Sequence, residues 1–317
     1  MMLFLLITPF RWGFSFVMWF CKSIKRHMGI IDLHNDAITV LALKDFAKHI
    51  KKAEKAGVEI VLVSVWTTEM KDPIKTIKRA RTIIDVFETH VKLLLHIEDM
   101  WFVTEQNIEE VLALKPFSVG LTWNFDNNLA GGALCGGGLS NFGKSVLEKI
   151  IESGIEIDLA HLNRRSFDEV SEVLNKQGKR LFCSHTCFDE VCQHPRNLTK
   201  EQILKIVDSG GIIGLTLVGE FLIGGNATLE DVYSHIKYFV DNFGDDNLAV
   251  GTDFYGTENL PSGLEKYRDF KKLSNYLLKK GLSNSTIDKI LHKNAHDYFQ
   301  RIKCGNRGPN TSWWYGY

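Results

Sequence analysis

Neither sign of charge dominates this chain: lysine plus arginine and aspartate plus glutamate number 38 each in 317 residues. No basic run stands out, which argues against a nucleic-acid partner. Cysteine is sparse and unevenly placed. The six residues at 21, 135, 183, 187, 192 and 304 make no regular disulfide framework, and a domain this long buries enough surface to fold without one. Free thiols in a reducing compartment are the expectation. Cys183, Cys187 and Cys192, with His185 and His194, lack the C-x2-C pair of a zinc finger. No G-x-G-x-x-G follows the first predicted strand, so a dinucleotide fold lacks its main support. No G-K-[ST] follows the glycines at 131–138, which are expected instead to form a flexible loop over a site.

The first 27 residues lack the two marks of a signal peptide, a positive charge ahead of the apolar core and a small-residue cleavage site behind it. Arg11 interrupts the apolar run, and Lys22, Lys25 and Arg26 follow it. Two readings stay open: a membrane anchor, which needs about 20 apolar residues, or an over-extended reading frame with Met28 as the start. The expected organisation is an apolar extension at 1–27, one catalytic domain at 28–303 and an irregular tail at 304–317. A cytoplasmic location is expected, with membrane contact only if 1–27 is an anchor.

Against these absences stand eight short apolar runs rich in β-formers, at 30–36, 58–66, 92–99, 117–123, 154–161, 180–186, 211–218 and 247–254. Their starts lie on average about 31 residues apart, the span of a βα unit. Strands buried on both faces read as such near-continuous apolar runs. Eight units predict an α/β fold, a (β/α)8 TIM barrel of the metal-dependent hydrolase type; an open doubly wound sheet is the alternative. Thr199 and Gln202 form a capping-box pattern, with Leu198 and Ile203 placed as a hydrophobic staple. A helix is also predicted over 283–299.

Imidazole and carboxylate groups are costly in buried strands unless paired or metal-bound, yet five of the eight runs end in one. The first ends in His34 and Asp36, the third in Glu98 and Asp99, the fifth in His161, the sixth in His185 and the eighth in Asp253. The C-terminal ends of barrel strands meet at one mouth, where active sites are built. His34 and Asp36, at i and i+2, would share one strand face. The three histidines with Asp36, Glu98 and Asp253 exceed one tetrahedral ion and suit two ions sharing a carboxylate. His96, two residues before Glu98 in the same run, is expected to support the ligands from behind, and His194 lies near the mouth without an assigned role.

The segments IDLHNDA at 31–37, LLLHIED at 93–99, GLTWNFDN at 120–127, IDLAH at 157–161, SHTCFDEVCQHPRNLT at 184–199 and VGTDFYG at 250–256 resemble, in order, the membrane dipeptidase (renal dipeptidase) family of zinc peptidases. The resemblance implies two Zn2+ per chain and a dipeptide substrate cut by a metal-bridged hydroxide. It makes His34 and Asp36 ligands of the first zinc, His161 and His185 ligands of the second, and Glu98 the bridge between them. It makes Asp253 the acid/base and Arg196 the holder of the substrate carboxylate, and it suggests a homodimer. Two positions depart from the family: Trp123 stands where a substrate-contacting histidine is usual, and Tyr255 where a second aspartate is often found. Both are expected to line the mouth. The competing readings are another metal-dependent amidohydrolase, such as an N-acyl amino acid deacylase, and a degenerate barrel kept for binding.

Overall fold

The computed structural model describes residues 29–305, so the apolar extension and the tail beyond 305 lie outside the described residues. Eight parallel strands close into one barrel in sequence order. They are β1 (Ile30–Asn35), β2 (Val58–Trp66), β3 (Lys92–Glu98), β4 (Ser118–Gly120), β5 (Glu156–Asp158), β6 (Phe182–Thr186), β7 (Ile212–Leu215) and β8 (Leu248–Val250). The outward residues of each strand, such as Val61, Val63, Val65, Leu95 and Ile97, pack against apolar helix faces in one continuous cluster. Ile31, Leu33, Leu62, Phe182, Ile212 and Ala249 come from five different strands and meet across the barrel axis. Tyr298 and Phe299 of the last helix join them there and plug the barrel. Small residues make room where neighbouring strands crowd. A Cβ on Gly214 or Gly251 would collide with the Ser184 carbonyl.

Several helix starts follow the sequence signals. Thr199 and Gln202 make the reciprocal capping box of Lys200–Asp208. Thr228 and Asp231 make a second one at Leu229–Phe243. The single helix expected over 283–299 is three pieces: Asn284–Asp288, a π-helical turn at Lys289–Lys293, and Asn294–Gly305. This last helix runs two residues into the stretch expected to be irregular, because the first strong stop after Asn294 is Gly305 itself.

The strands are shorter than the apolar runs that predict them. β5 stops three residues before His161, and β8 three residues before Asp253. Both residues adopt a left-handed backbone, with φ of 67° and 59°, as do Asp99 and Tyr255 at the same end of the barrel. A left-handed residue cannot continue a ladder, so these side chains stand on the loops just above the strands. Non-glycine residues in this region carry a conformational cost of order 1–3 kcal/mol each, which the surrounding packing must offset.

Candidate metal centre

Each ligand-type side chain reaches the mouth by its own backbone device. Only Glu98 arrives by ordinary strand alternation, paired in register with Trp66 while His96 pairs with Ser64. Leu33 points into the barrel core, yet the next side chain, His34, also turns inward, 5.5 Å from the His96 ring and 3.8 Å from the His185 ring. The β1–β2 register breaks between Asp32 and Asn35, which permits this. The β6–β7 register breaks likewise between Cys183 and Thr186, and His185 turns inward beside Ser184. Such irregularities re-aim side chains next to active sites. The expected i, i+2 sharing of one strand face is therefore not how His34 and Asp36 meet. Asp36 has left the strand to cap the helix Ala37–Val40 with a φ of −91°.

The side chains nevertheless converge. His34 Nε2 lies 3.3 Å from Asp36 Oδ2, 3.6 Å from Glu98 Oε2 and 4.0 Å from Asp253 Oδ1. The other Glu98 oxygen, Oε1, lies 2.8 Å from His161 Nε2 and 3.8 Å from His185 Nε2. Glu98 thus faces two half-sites, one with each oxygen. All six residues are buried or nearly so.

The hydrogen bonding behind the rings decides what can sit between them. His161 Nδ1 is 2.9 Å from Asn124 Oδ1, an acceptor, so that nitrogen carries the proton. Ser184 Oγ donates to Asp158 Oδ2 and therefore accepts from His185 Nδ1 at 2.8 Å. Both Nε2 atoms then present lone pairs, and they face each other at 2.9 Å beside Glu98 Oε1. Three acceptors meeting in a buried place call for a cation. In the first half-site His34 Nε2 and Asp36 Oδ1 are buried with no hydrogen-bond partner. This imidazole and carboxylate set fits zinc.

Charge coupling agrees with that fit. Burial pushes Asp253 well above the ordinary carboxyl range, and Asp36 and Glu98 add to the shift. Burial also opposes charge on His34 and Glu98. Even so, Asp36 and Glu98 hold the His34 imidazole protonated well above its usual range, while His34 and His161 hold Glu98 well below its own. A proton on His34 here occupies the position a cation would take. Burial, with Arg196 nearby, lowers His161 to about 4, so its imidazole stays neutral.

A cavity of about 530 Å³ opens over this cluster, lined by Asp36, Glu98, His161 and Asp253, by Trp123 and Tyr255, and by Arg196. All nine residues singled out in the sequence therefore gather at one mouth, with His34 and His185 on the floor. Gly256 is part of the fit, since a Cβ there would strike the carboxylates of both Asp253 and Asp36. Arg196 is 4% exposed, donates from Nη2 to His185 O at 3.3 Å, and lies over the Phe221 ring. It makes no ion pair among the described residues, and its Nε is unpartnered. Tyr255 reaches His49 Nδ1 with its hydroxyl at 3.1 Å.

Sequence reasoning missed the supports: Asp32, Asn124, Asp158, Ser184 and Tyr267. Asp32 receives Thr252 N, Thr252 Oγ1, Tyr267 OH and His34 N. Asp158 receives Ala160 N and Ser184 N, and its Oδ2 is 3.5 Å from His96 Nε2. The available signal was an aspartate two or three residues ahead of a histidine, in D-L-H at 32–34 and D-L-A-H at 158–161. The glycine-rich loop is also not the loose flap expected. Asp126 receives Gly132 N and Gly137 N, and Asn163 Nδ2 donates to Cys135 O and Gly137 O.

Residues 106–304 match the family model described as membrane dipeptidase, peptidase family M19. The matched stretch begins after His34, Asp36 and Glu98, so that half of the cluster rests on the geometry. A protein encoded in the pqqA 5′ region of Klebsiella pneumoniae is 28% identical over 190 residues, which is 56% of this chain and 69% of that protein. A dipeptidase, verJ, of Clonostachys rogersoniana is 29% identical over 159 residues, 50% of this chain but only 40% of the relative. Among solved structures, a metallopeptidase of Rhodobacter sphaeroides holding a phosphinate mimic of the dipeptide L-Ala-D-Ala superposes with a TM-score of 0.74. It is 19% identical and covers 86% of this chain and 99% of its own, a likeness of fold.

Proposed function

The chain belongs to the membrane dipeptidase family of metallopeptidases, and from that premise we propose that it hydrolyses the peptide bond of dipeptides with two zinc ions. In this reading His34 and Asp36 would hold one ion and His161 and His185 the other, with Glu98 shared between them. Zinc bound there supplies Lewis acidity and lowers the pKa of water from 15.7 towards about 7. Asp253, at the rim of the first half-site, takes a proton from the attacking water and returns it to the leaving amine. Its position, on the cavity wall with Oδ1 4.0 Å from His34 Nε2, supports a proton-carrying role.

The observation that carries the dipeptide reading is Arg196. A guanidinium this buried, with no carboxylate partner among the described residues, is costly unless a ligand supplies the anion. It lines the same cavity as the metal-ligand cluster, so an anion paired to it sits within a residue's length of the scissile bond. The terminal carboxylate of a dipeptide meets that requirement, and an interior stretch of polypeptide does not. Arginine's fork suits a carboxylate bidentately.

The test is turnover of a panel of free dipeptides and N-acyl amino acids by protein loaded with zinc, for the natural chain and for Arg196→Lys. Dipeptide hydrolysis with two zinc per chain is expected, and the lysine variant should raise KM strongly while keeping its metal. A zinc-loaded protein that cleaves acylated amino acids and no free dipeptide would overturn the reading.

A further inference from the structure

Three rings beside the metal centre do no work in that mechanism. Trp66 and Trp123 lie 5.4 Å apart at 63°, and Trp123 and Phe125 lie 5.9 Å apart at 64°. Both tryptophans line the cavity. Trp123 also lies 6.2 Å from the His161 ring, so the wall starts at the cluster and runs outward to Phe125, which is 56% exposed.

The loop that carries Trp123 and Phe125 is tied down. Asn124 O accepts from Leu134 N, and Asn127 Oδ1 accepts from Leu129 N and Ala130 N while its Nδ2 donates to Asp99 Oδ1. Rings fixed before binding lose little freedom when a ligand docks.

Size and charge point to one kind of occupant. At roughly 30 Å³ per water in the liquid, the cavity of about 530 Å³ has room for about eighteen waters. Glycylglycine has only about nine non-hydrogen atoms, so a small dipeptide leaves much of that space unfilled. Indole faces would also attract a cationic side chain, but Arg196 shares the cavity and the wall abuts a centre built for cations. An acidic side chain finds a single unpartnered donor here, Trp66 Nε1, and no pair to hold both of its oxygens. Aromatic rings meet tryptophan edge-to-face or offset, as these rings already meet one another.

We propose that Trp66 and Trp123 form a subsite for an aromatic side chain of the substrate, and that the enzyme prefers dipeptides carrying one over alanyl or glycyl dipeptides. This rests on the dipeptidase reading above.

The experiment compares kcat/KM for Ala-Ala, Ala-Phe and Phe-Ala in the natural chain, Trp66→Ala, Trp123→Leu and Trp123→Phe, with zinc content measured for each. The natural chain should favour one phenylalanyl dipeptide by roughly tenfold. Trp66→Ala and Trp123→Leu should bring the ratio of phenylalanyl to Ala-Ala kcat/KM towards one while zinc content holds. Trp123→Phe keeps a ring and should keep the preference. Equal use of all three dipeptides by the natural chain, or an equal loss for all in the variants, would overturn the subsite. If no dipeptide is cleaved, the dipeptidase reading fails separately. Quenching of indole fluorescence by Ala-Phe and Phe-Ala, against Ala-Ala, then still decides whether the wall binds an aromatic ring, and equal affinities would refute it.

Discussion

Ser184→Ala removes a single hydroxyl that stands behind both halves of the proposed metal centre. Its Oγ donates to Asp158 Oδ2, lies 2.8 Å from His185 Nδ1 and lies 3.4 Å from His34 Nδ1. Without it, Asp158 Oδ2 keeps only His96 Nε2 at 3.5 Å, while Oδ1 retains the two backbone donors. The His185 Nδ1–H loses its acceptor in a place where no solvent reaches. A space the size of one hydroxyl is too small for a replacement water. A hydrogen bond to a charged group contributes about 1.5–3 kcal/mol, and loss of a group that orients a metal-binding histidine typically weakens metal affinity 10–100-fold. The nearer ring should suffer more, so the ion held by His185 should weaken towards the upper end of that range and the ion held by His34 less. Competition with a chromophoric chelator for zinc measures both affinities, and the visible spectrum of the cobalt-substituted protein reports whether ligand geometry has changed. Unchanged affinities with an unchanged cobalt spectrum would refute the reasoning, whatever happened to thermal stability.

Other outcomes follow from the same geometry. Gly256→Ala drives a methyl group against the Asp36 and Asp253 carboxylates, and kcat/KM should fall about 100-fold, the usual cost of a misplaced reacting group; an active variant would show that these carboxylates have room to move. Asp253→Asn should lower kcat by about 10²–10⁴ while two zinc ions stay bound, so loss of metal in elemental analysis would make Asp253 a ligand first and an acid/base second. His235 is held neutral, because its Nδ1 accepts from Phe188 N at 3.3 Å while its Nε2 donates to Leu222 O, and burial lowers its pKa from 6.5 to about 4. The unfolded chain therefore takes up this proton first, and the stability from His235, fully present above pH 6.5, is lost as pH falls towards 4, by roughly 3 kcal/mol. Urea unfolding at pH 7 and pH 4.5 should show a steeper acid loss for the natural chain than for His235→Asn, and matching losses would contradict the assignment.

The barrel was legible because its strands are apolar on both faces and evenly spaced, a pattern with few alternative folds. Six of the site positions were legible as residue types at run ends, Arg196, Trp123 and Tyr255 came from the family resemblance, and the structure brings all nine to one mouth. How they gather was not legible. His34 and His185 face inward only because the ladder slips at 32–35 and 183–186, and His161 and Asp253 only because their backbones turn left-handed. Neither event leaves a mark in hydrophobic periodicity, which assumes strict alternation. The supporting aspartates were hidden for a related reason. Asp32 and Asp158 sit inside apolar runs, where a lone carboxylate looks like noise until its donors on distant strands are known. The stiffness of the loop after Trp123 was hidden by its glycines. Gly131 and Gly132 serve close backbone approach, since a Cβ on either would strike neighbouring backbone.

The pairing of β1 with β8 has a consequence for how the protein is made. Asp32 opposes Val250, Asp253 N donates to His34 O, and Asp36 N donates to Phe254 O. The first half-site therefore straddles the weld between the earliest and latest strands, and its parts are separated by more than two hundred residues of chain. A nascent polypeptide carries His34 and Asp36 long before Asp253, and it cannot assemble the three until nearly the whole barrel has emerged. In the proposed reading, metal loading at that half-site would therefore follow completed folding rather than guide it. A truncated or half-folded chain would hold scattered ligands with weak, unselective affinity, and only the finished molecule could keep its ions.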